Sequence, residues 1–249
     1  MVGTLLMRGM LVGVLAGIFA FAFARVYGEP RIEQAIAFED QMTHATDAAH
    51  DHAVEEVVSR QTQAGLGLFS GLIAYGAALG GLFALVFALL HGRLGPSNPQ
   101  MLAIAIASAG FVALTFVPGL KYPGNPPAVG DGGTIAQRTI LFFGMIAISI
   151  VAAAVGIQVA RLIRQSAGPG AAWAAGISAY AAIAAAAFLV LPAVNEVPQG
   201  FSAELLWQFR MTSLAMHAIL WCTLGIAFGL WVKFSSGSDS AGARLWQHR

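Results

Sequence analysis

"LGLFSGLIAYGAALGGLFALVFALL", residues 66–90, runs for 25 residues without a charged side chain. A helix needs roughly 20 mainly apolar residues, at about 1.5 Å each, to cross the hydrocarbon core of a bilayer. Six runs in the sequence meet that length: about 4–27, 66–90, 100–120, 139–160, 172–192 and 211–232. None alternates polar and apolar residues in the manner of a strand. Backbone groups surrounded by lipid must be satisfied within their own segment, so each run reads as a helix. The expected fold is all-α: a polytopic membrane bundle of six spans over residues 1–234, with a short polar tail at 235–249.

Composition agrees. Of 249 residues, 57% are hydrophobic and 10% are charged, against about 25% charged in soluble domains. A net charge of +1 offers no basic field and argues against a nucleic-acid partner. The one cysteine, Cys222, excludes an intrachain disulfide. "AFAFAR" at 20–25 offers the cleavage pattern Ala22-x-Ala24 of a signal peptide, but a single Arg8 and a long apolar run favour a retained span.

Lysines and arginines divide almost evenly between the two sets of loops, so they orient the chain weakly. The acids do not. Placing the N-terminus inside puts eleven of the twelve acidic residues on the outer side and only Asp239 within. Both termini are therefore expected in the cytoplasm. The outer loops, 28–65, 121–138 and 193–210, carry most of the polar residues, and their acids would attract cations.

Each outer loop is also built alike. "FVPGLKYPGNPP" at 116–127 and "LVLPAVNEVPQGF" at 189–201 leave an apolar helix through proline, and each is followed by an arginine, Arg138 or Arg210, that opens the next helix. "YGEP" at 27–30 with Arg60 echoes the pattern. Three helical hairpins are the expected architecture. Proline commonly ends helices, so Pro118 is expected to close the third span, with Pro123, Pro126 and Pro127 stiffening the path beyond it and Lys121 at the rim beside an acid.

"RIEQAIAFEDQMTHATDAAHDHAVEEVV", residues 31–58, lacks Gly and Pro and reads as an amphipathic helix. At 100° per residue Asp40, His44, Asp47, Asp51 and Glu55 form one stripe, opposite Phe38, Met42, Ala45, Ala49 and Ala53. His50 and His52 flank the stripe. Two readings stand: a solvated charged face, or capture of a borderline divalent cation by imidazole and carboxylate.

His217, in "SLAMHAILWCTLG", is the one ionisable residue well inside a span. Such residues face the bundle interior, either lining an ion path or hydrogen-bonded to a neighbouring helix. Glu29, Glu196 and Glu204 stand at the loop ends as candidate cation contacts. The candidate metal set is thus His44, His50, His52, Asp47, Asp51, Glu55, Glu29, Glu196, Glu204 and His217. No phosphate loop, zinc-protease helix, nucleophile elbow or dinucleotide fingerprint is present in the sequence, so no enzyme activity and no tightly bound cofactor is expected.

"PGLKYPGNPPAVG" (118–130), "PAVNEVPQGF" (192–201) and "LLWQFRMTSLAMHAILW" (205–221) closely resemble the CbtA family of probable cobalt transporter subunits, and "YGEPRIEQAIAFE" and "VSRQTQAGLGLF" fit it as well. The resemblance implies a subunit of the bacterial inner membrane concerned with cobalt supply for cobalamin synthesis. It implies Co²⁺ as the transported ion and a small single-span CbtB partner with a histidine-rich tail. The family is described with five spans, against the six counted here. A non-transporting accessory protein that captures metal or scaffolds another transporter is the alternative.

Overall fold

The computed structural model describes residues 2–46, 58–95 and 97–246; among them the chain is helical between short connections and holds no strand. The helices are α1 (Val2–Phe23), α2 (Glu29–Thr46), α3 (Arg60–Thr62), α4 (Leu68–Leu90), α5 (Pro99–Phe111), α6 (Val117–Lys121), α7 (Ile135–Val190) and α8 (Ala203–Trp246). Five continuous helical runs, Val2–Met42, Arg60–Leu90, Pro99–Lys121, Gly132–Val190 and Ala203–Phe234, are long and apolar enough to cross a membrane.

Prolines 30 and 118 do not end their helices as expected. A wide π-helical turn, Ala24–Gly28, joins α1 to α2, and another, Val112–Phe116, joins α5 to α6. The Glu29 N–H reaches back to the Ala24 carbonyl, one residue further than in an α-helix. Proline lacks an N–H and its ring meets the carbonyl four residues earlier. A turn with one extra residue shifts that carbonyl aside, and the helix runs on. A third π turn, Gln63–Gly67, joins α3 to α4 without a proline. Pro192 behaves as expected: α7 stops at Val190. Of the helix expected over 31–58, residues 31–46 are helical and continue the run of α1; residues 47–57 lie outside the described residues.

Contacts divide the chain into two compact units. The first comprises residues 1–30, 50–111 and 215–249. Here α1 and α4 pack antiparallel through glycine: Gly9 meets Gly80, Gly13 meets Gly76 and Gly17 meets Leu72, backbone to backbone. Small residues four apart let helices approach this closely, which matters where lipid supplies no hydrophobic drive between them. α5 and α8 use the same device, with Gly225 against Ala107 and Gly229 against Ala103. Trp221 fills the space over Gly110. Phe83, Phe87 and Phe228 close the core edge to face, with ring centroids 5.3 and 5.1 Å apart.

The second unit comprises residues 31–49 and 112–214. Within α7, Gly168 has φ 80° and ψ 175° and is followed by Pro169. Only glycine adopts that conformation readily, so the helical path breaks there. The two halves pack on each other through Gly156 and Gly176 and a 2.8 Å hydrogen bond between Ser149 and Tyr180. Tyr122, Met145 and Ala187 form a core with Val117, Leu141 and Phe188 around it. A second core gathers Ala35, Val129, Phe201 and Leu205, with Phe38 packed against it. The apolar side of α2 is therefore used as expected at Phe38, whose ring meets that of Phe201 edge to face at 5.1 Å. Met42 stays exposed.

Candidate functional site

Glu29 opens α2 directly after the π turn and is 3% exposed. Its carboxylate accepts from Arg60 Nη2, which opens α3 behind the Ser59 cap. The candidate ligand is thus already neutralised: a buried carboxylate takes the nearest guanidinium because an unpaired charge out of water is costly.

Glu196 behaves similarly in the second unit. It accepts from the Asp131 N–H at 2.8 Å and lies 3.3 Å from Arg138 Nε. The Asp131 N–H and the Thr134 hydroxyl, followed by Arg138, hold its carboxyl below the usual carboxylate range. Asp131 in turn caps its own turn by accepting from the Gly133 N–H, and its carbonyl accepts from Arg138 Nη2 and the Thr134 hydroxyl. Glu196, Asp131 and Arg138 therefore bind the proline-rich segment to the loop after α7. The proline-rich segment is tied down twice more. Lys121 Nζ donates to the Phe188 carbonyl at 2.8 Å and the Tyr122 hydroxyl to the Pro192 carbonyl at 2.8 Å. Lys121 thus meets the carbonyl end of a helix, where orphan acceptors and the negative end of the dipole favour a cation, and not an acid as expected.

Glu204 is exposed in the first turn of α8 and accepts from Gln208 Nε2 at 2.9 Å. His217 lies in the apolar part of α8, half-buried, its ring 6.4 Å from that of Tyr75 at 78°. This is edge-to-face geometry, and it sets the Tyr75 ring of α4 beside the imidazole expected inside the bundle. Gln158 is exposed and accepts from Arg161 along its own helix. His44 falls on the helical backbone of α2; Asp47, His50, Asp51, His52 and Glu55 lie outside the described residues. Among the described residues no three His, Cys, Asp or Glu side chains gather as a metal-ion group.

Sequence reasoning passed over Tyr122 and Asp131. Asp131-Gly-Gly before a helix was the legible signal, since Asp accepts from the N–H two residues on at such a turn. Nothing local announced the partner of Asn125, whose Oδ1 accepts from Arg210 Nη2 at 2.9 Å, 85 residues along the chain.

Comparison with known proteins adds one finding. A family model described as "Probable cobalt transporter subunit (CbtA)" matches residues 2–233. No curated protein and no solved structure matches the chain. With five apolar helices of spanning length, the match describes a multi-pass membrane protein. This chain belongs to the CbtA family of probable cobalt transporter subunits.

Proposed function

We propose that the chain is the membrane subunit of a cobalt-uptake transporter in the bacterial cytoplasmic membrane, drawing Co²⁺ from an acidic, histidine-rich outer side. The observation that carries this reading is His217 beside Tyr75 within the apolar stretch of α8, in a chain of this family. A polar group at that depth is costly and marks a path more often than a packing site. Imidazole suits a borderline divalent cation. One imidazole holds such an ion weakly enough to release it, as conduction demands.

The run Gly132–Val190 has 59 residues, about 88 Å at 1.5 Å each, and breaks at Gly168. Against a hydrocarbon core about 30 Å thick it crosses twice, which makes six crossings and three hairpins. Both termini then face the cytoplasm. His44, Asp47, His50, Asp51, His52 and Glu55 gather the ion, and Glu196 and Glu204 add negative charge near the mouth. Glu29 contributes structure through Arg60. A small histidine-rich CbtB-type subunit passes cobalt to this surface, in the service of cobalamin synthesis.

The test is uptake of radioactive cobalt into proteoliposomes holding this chain alone, against empty liposomes and excess nickel. Saturable accumulation is expected. Cobalt bound at the surface without accumulation, from folded protein, would favour the accessory role.

A further inference from the structure

Arg60, Arg138 and Arg210 stand in the first turns of α3, α7 and α8, and among the described residues the Nε of each is shielded from solvent without a hydrogen-bond partner. Two of them meet a carboxylate: Arg60 with Glu29 and Arg138 with Glu196. Arg210 forms no ion pair among the described residues, and its Nη2 donates to the Asn125 amide oxygen. A guanidinium keeps its charge in any protein environment, and a neutral amide oxygen does not balance it. Among the described residues this charge therefore has no carboxylate opposite it, unlike its two counterparts.

The surroundings say what kind of counter-ion fits. Asn125 Oδ1 is turned to the guanidinium, so its NH₂ is the group left to donate. Guanidinium and carboxamide together form a donor set, suited to an oxyanion and repellent to a metal cation. The loop lies directly on α8 at this point: a Cβ at exposed Gly124 would stand 3.8 Å from Ser213 Oγ and 4.0 Å from the Phe209 ring. One turn away on the same helix face, Trp207 is 62% exposed, and Met211 beside Arg210 is 38% exposed. Exposed tryptophan near the end of an apolar helix belongs at the depth of lipid headgroups.

We propose that Arg210 and Asn125 bind a phosphate-type oxyanion at the loop end of α8, supplied by the headgroup of an anionic phospholipid. The site is independent of the cargo and rests only on α8 crossing a membrane. It ties the Asn125 loop, and with it the Tyr122 and Asp131 contacts, to the lipid surface.

The test uses the full chain purified in neutral detergent, with thermal unfolding followed upon addition of phosphatidylglycerol or of sodium phosphate. Phosphatidylglycerol is expected to raise Tm for the wild type, because a ligand that binds only the folded state stabilises it. Arg210→Gln should lose most of the rise, Arg210→Lys part of it, and Asn125→Ala part of it, while Arg25→Gln at an exposed arginine keeps it. An equal rise with sodium phosphate would keep the site and overturn the lipid as its source. An equal lipid-induced rise in Arg210→Gln and wild type would overturn the site. Should Arg210→Gln fail to fold, Asn125→Ala decides, and an undiminished rise in that variant overturns the proposal. Failure of cobalt uptake leaves this result untouched.

Discussion

The Glu29–Arg60 pair gives the sharpest quantitative prediction. Replacing Arg60 by Ala leaves a carboxylate that is 3% exposed without its counter-charge. Breaking a buried pair from one side costs about 3–5 kcal/mol. Replacing Glu29 by Gln keeps the volume and an acceptor, and strands a guanidinium that is 31% exposed and reaches water. That loss belongs with unsatisfied polar groups, about 1–3 kcal/mol. Arg60→Ala should therefore be the worse substitution by about 2 kcal/mol, roughly 30-fold in the folded-to-unfolded ratio. The double variant Glu29→Gln with Arg60→Ala removes both charges and should cost less than the two single changes added together. Reversible unfolding of the purified protein in mixed micelles measures all three. The reasoning fails if Arg60→Ala costs no more than the roughly 0–1 kcal/mol of an exposed pair, or if the two changes add. Glu29 would then be free for a cation after all.

Three further outcomes follow from the packing and the loop contacts. A Cβ at Gly13 would lie 2.0 Å from the Gly76 carbonyl oxygen, whereas Gly71 has nothing within 4 Å; Gly13→Ala should cost about 1–3 kcal/mol as an overpacked interface, and Gly71→Ala almost nothing, by the same unfolding assay. Tyr122→Phe removes the hydroxyl bound to the Pro192 carbonyl but keeps the buried ring, so thermal unfolding should show a loss of about 0.5–1.5 kcal/mol, against about 3–5 kcal/mol for Tyr122→Ala. Glu196 is held below the ordinary 4.5 of a glutamate, so its contribution is fully present above that pH and is lost as the pH falls below it through the folded-state value. Hydrogen exchange at the Asp131 amide should stay slow from neutral pH down to that point and be fast throughout in Glu196→Ala, after correction for intrinsic exchange rates.

What the sequence revealed depended on how local the cause was. Apolar runs are local, and each became a helix of spanning length or part of one. The face of α2 carrying Phe38 followed from its 3.6-residue period. The π turns did not show, because a proline in an apolar run reads as a stop, and one wide turn that carries the helix past Pro30 or Pro118 leaves no compositional mark. The partners of the loop residues were equally hidden. Lys121 was expected beside an acid, yet the orphan carbonyls at the end of α7 lay closer, 67 residues along the chain. Arg60 opens α3 as expected, whereas α7 begins at Ile135 and α8 at Ala203, ahead of Arg138 and Arg210; the partners of the three, Glu29, Glu196 and Asn125, depend on tertiary approach that no spacing rule encodes. His217 stood out alone as an ionisable residue inside a span, and packing of α4 with α8 sets Tyr75 beside it.

The most direct test of the account is cobalt uptake into proteoliposomes by His217→Ala beside the wild-type chain, with the melting temperature of each protein measured in parallel. The account predicts at least a tenfold lower uptake rate, equivalent to about 1.4 kcal/mol in the barrier, with little change in melting. Wild-type uptake by the variant would contradict it, and would make the imidazole beside Tyr75 a packing group.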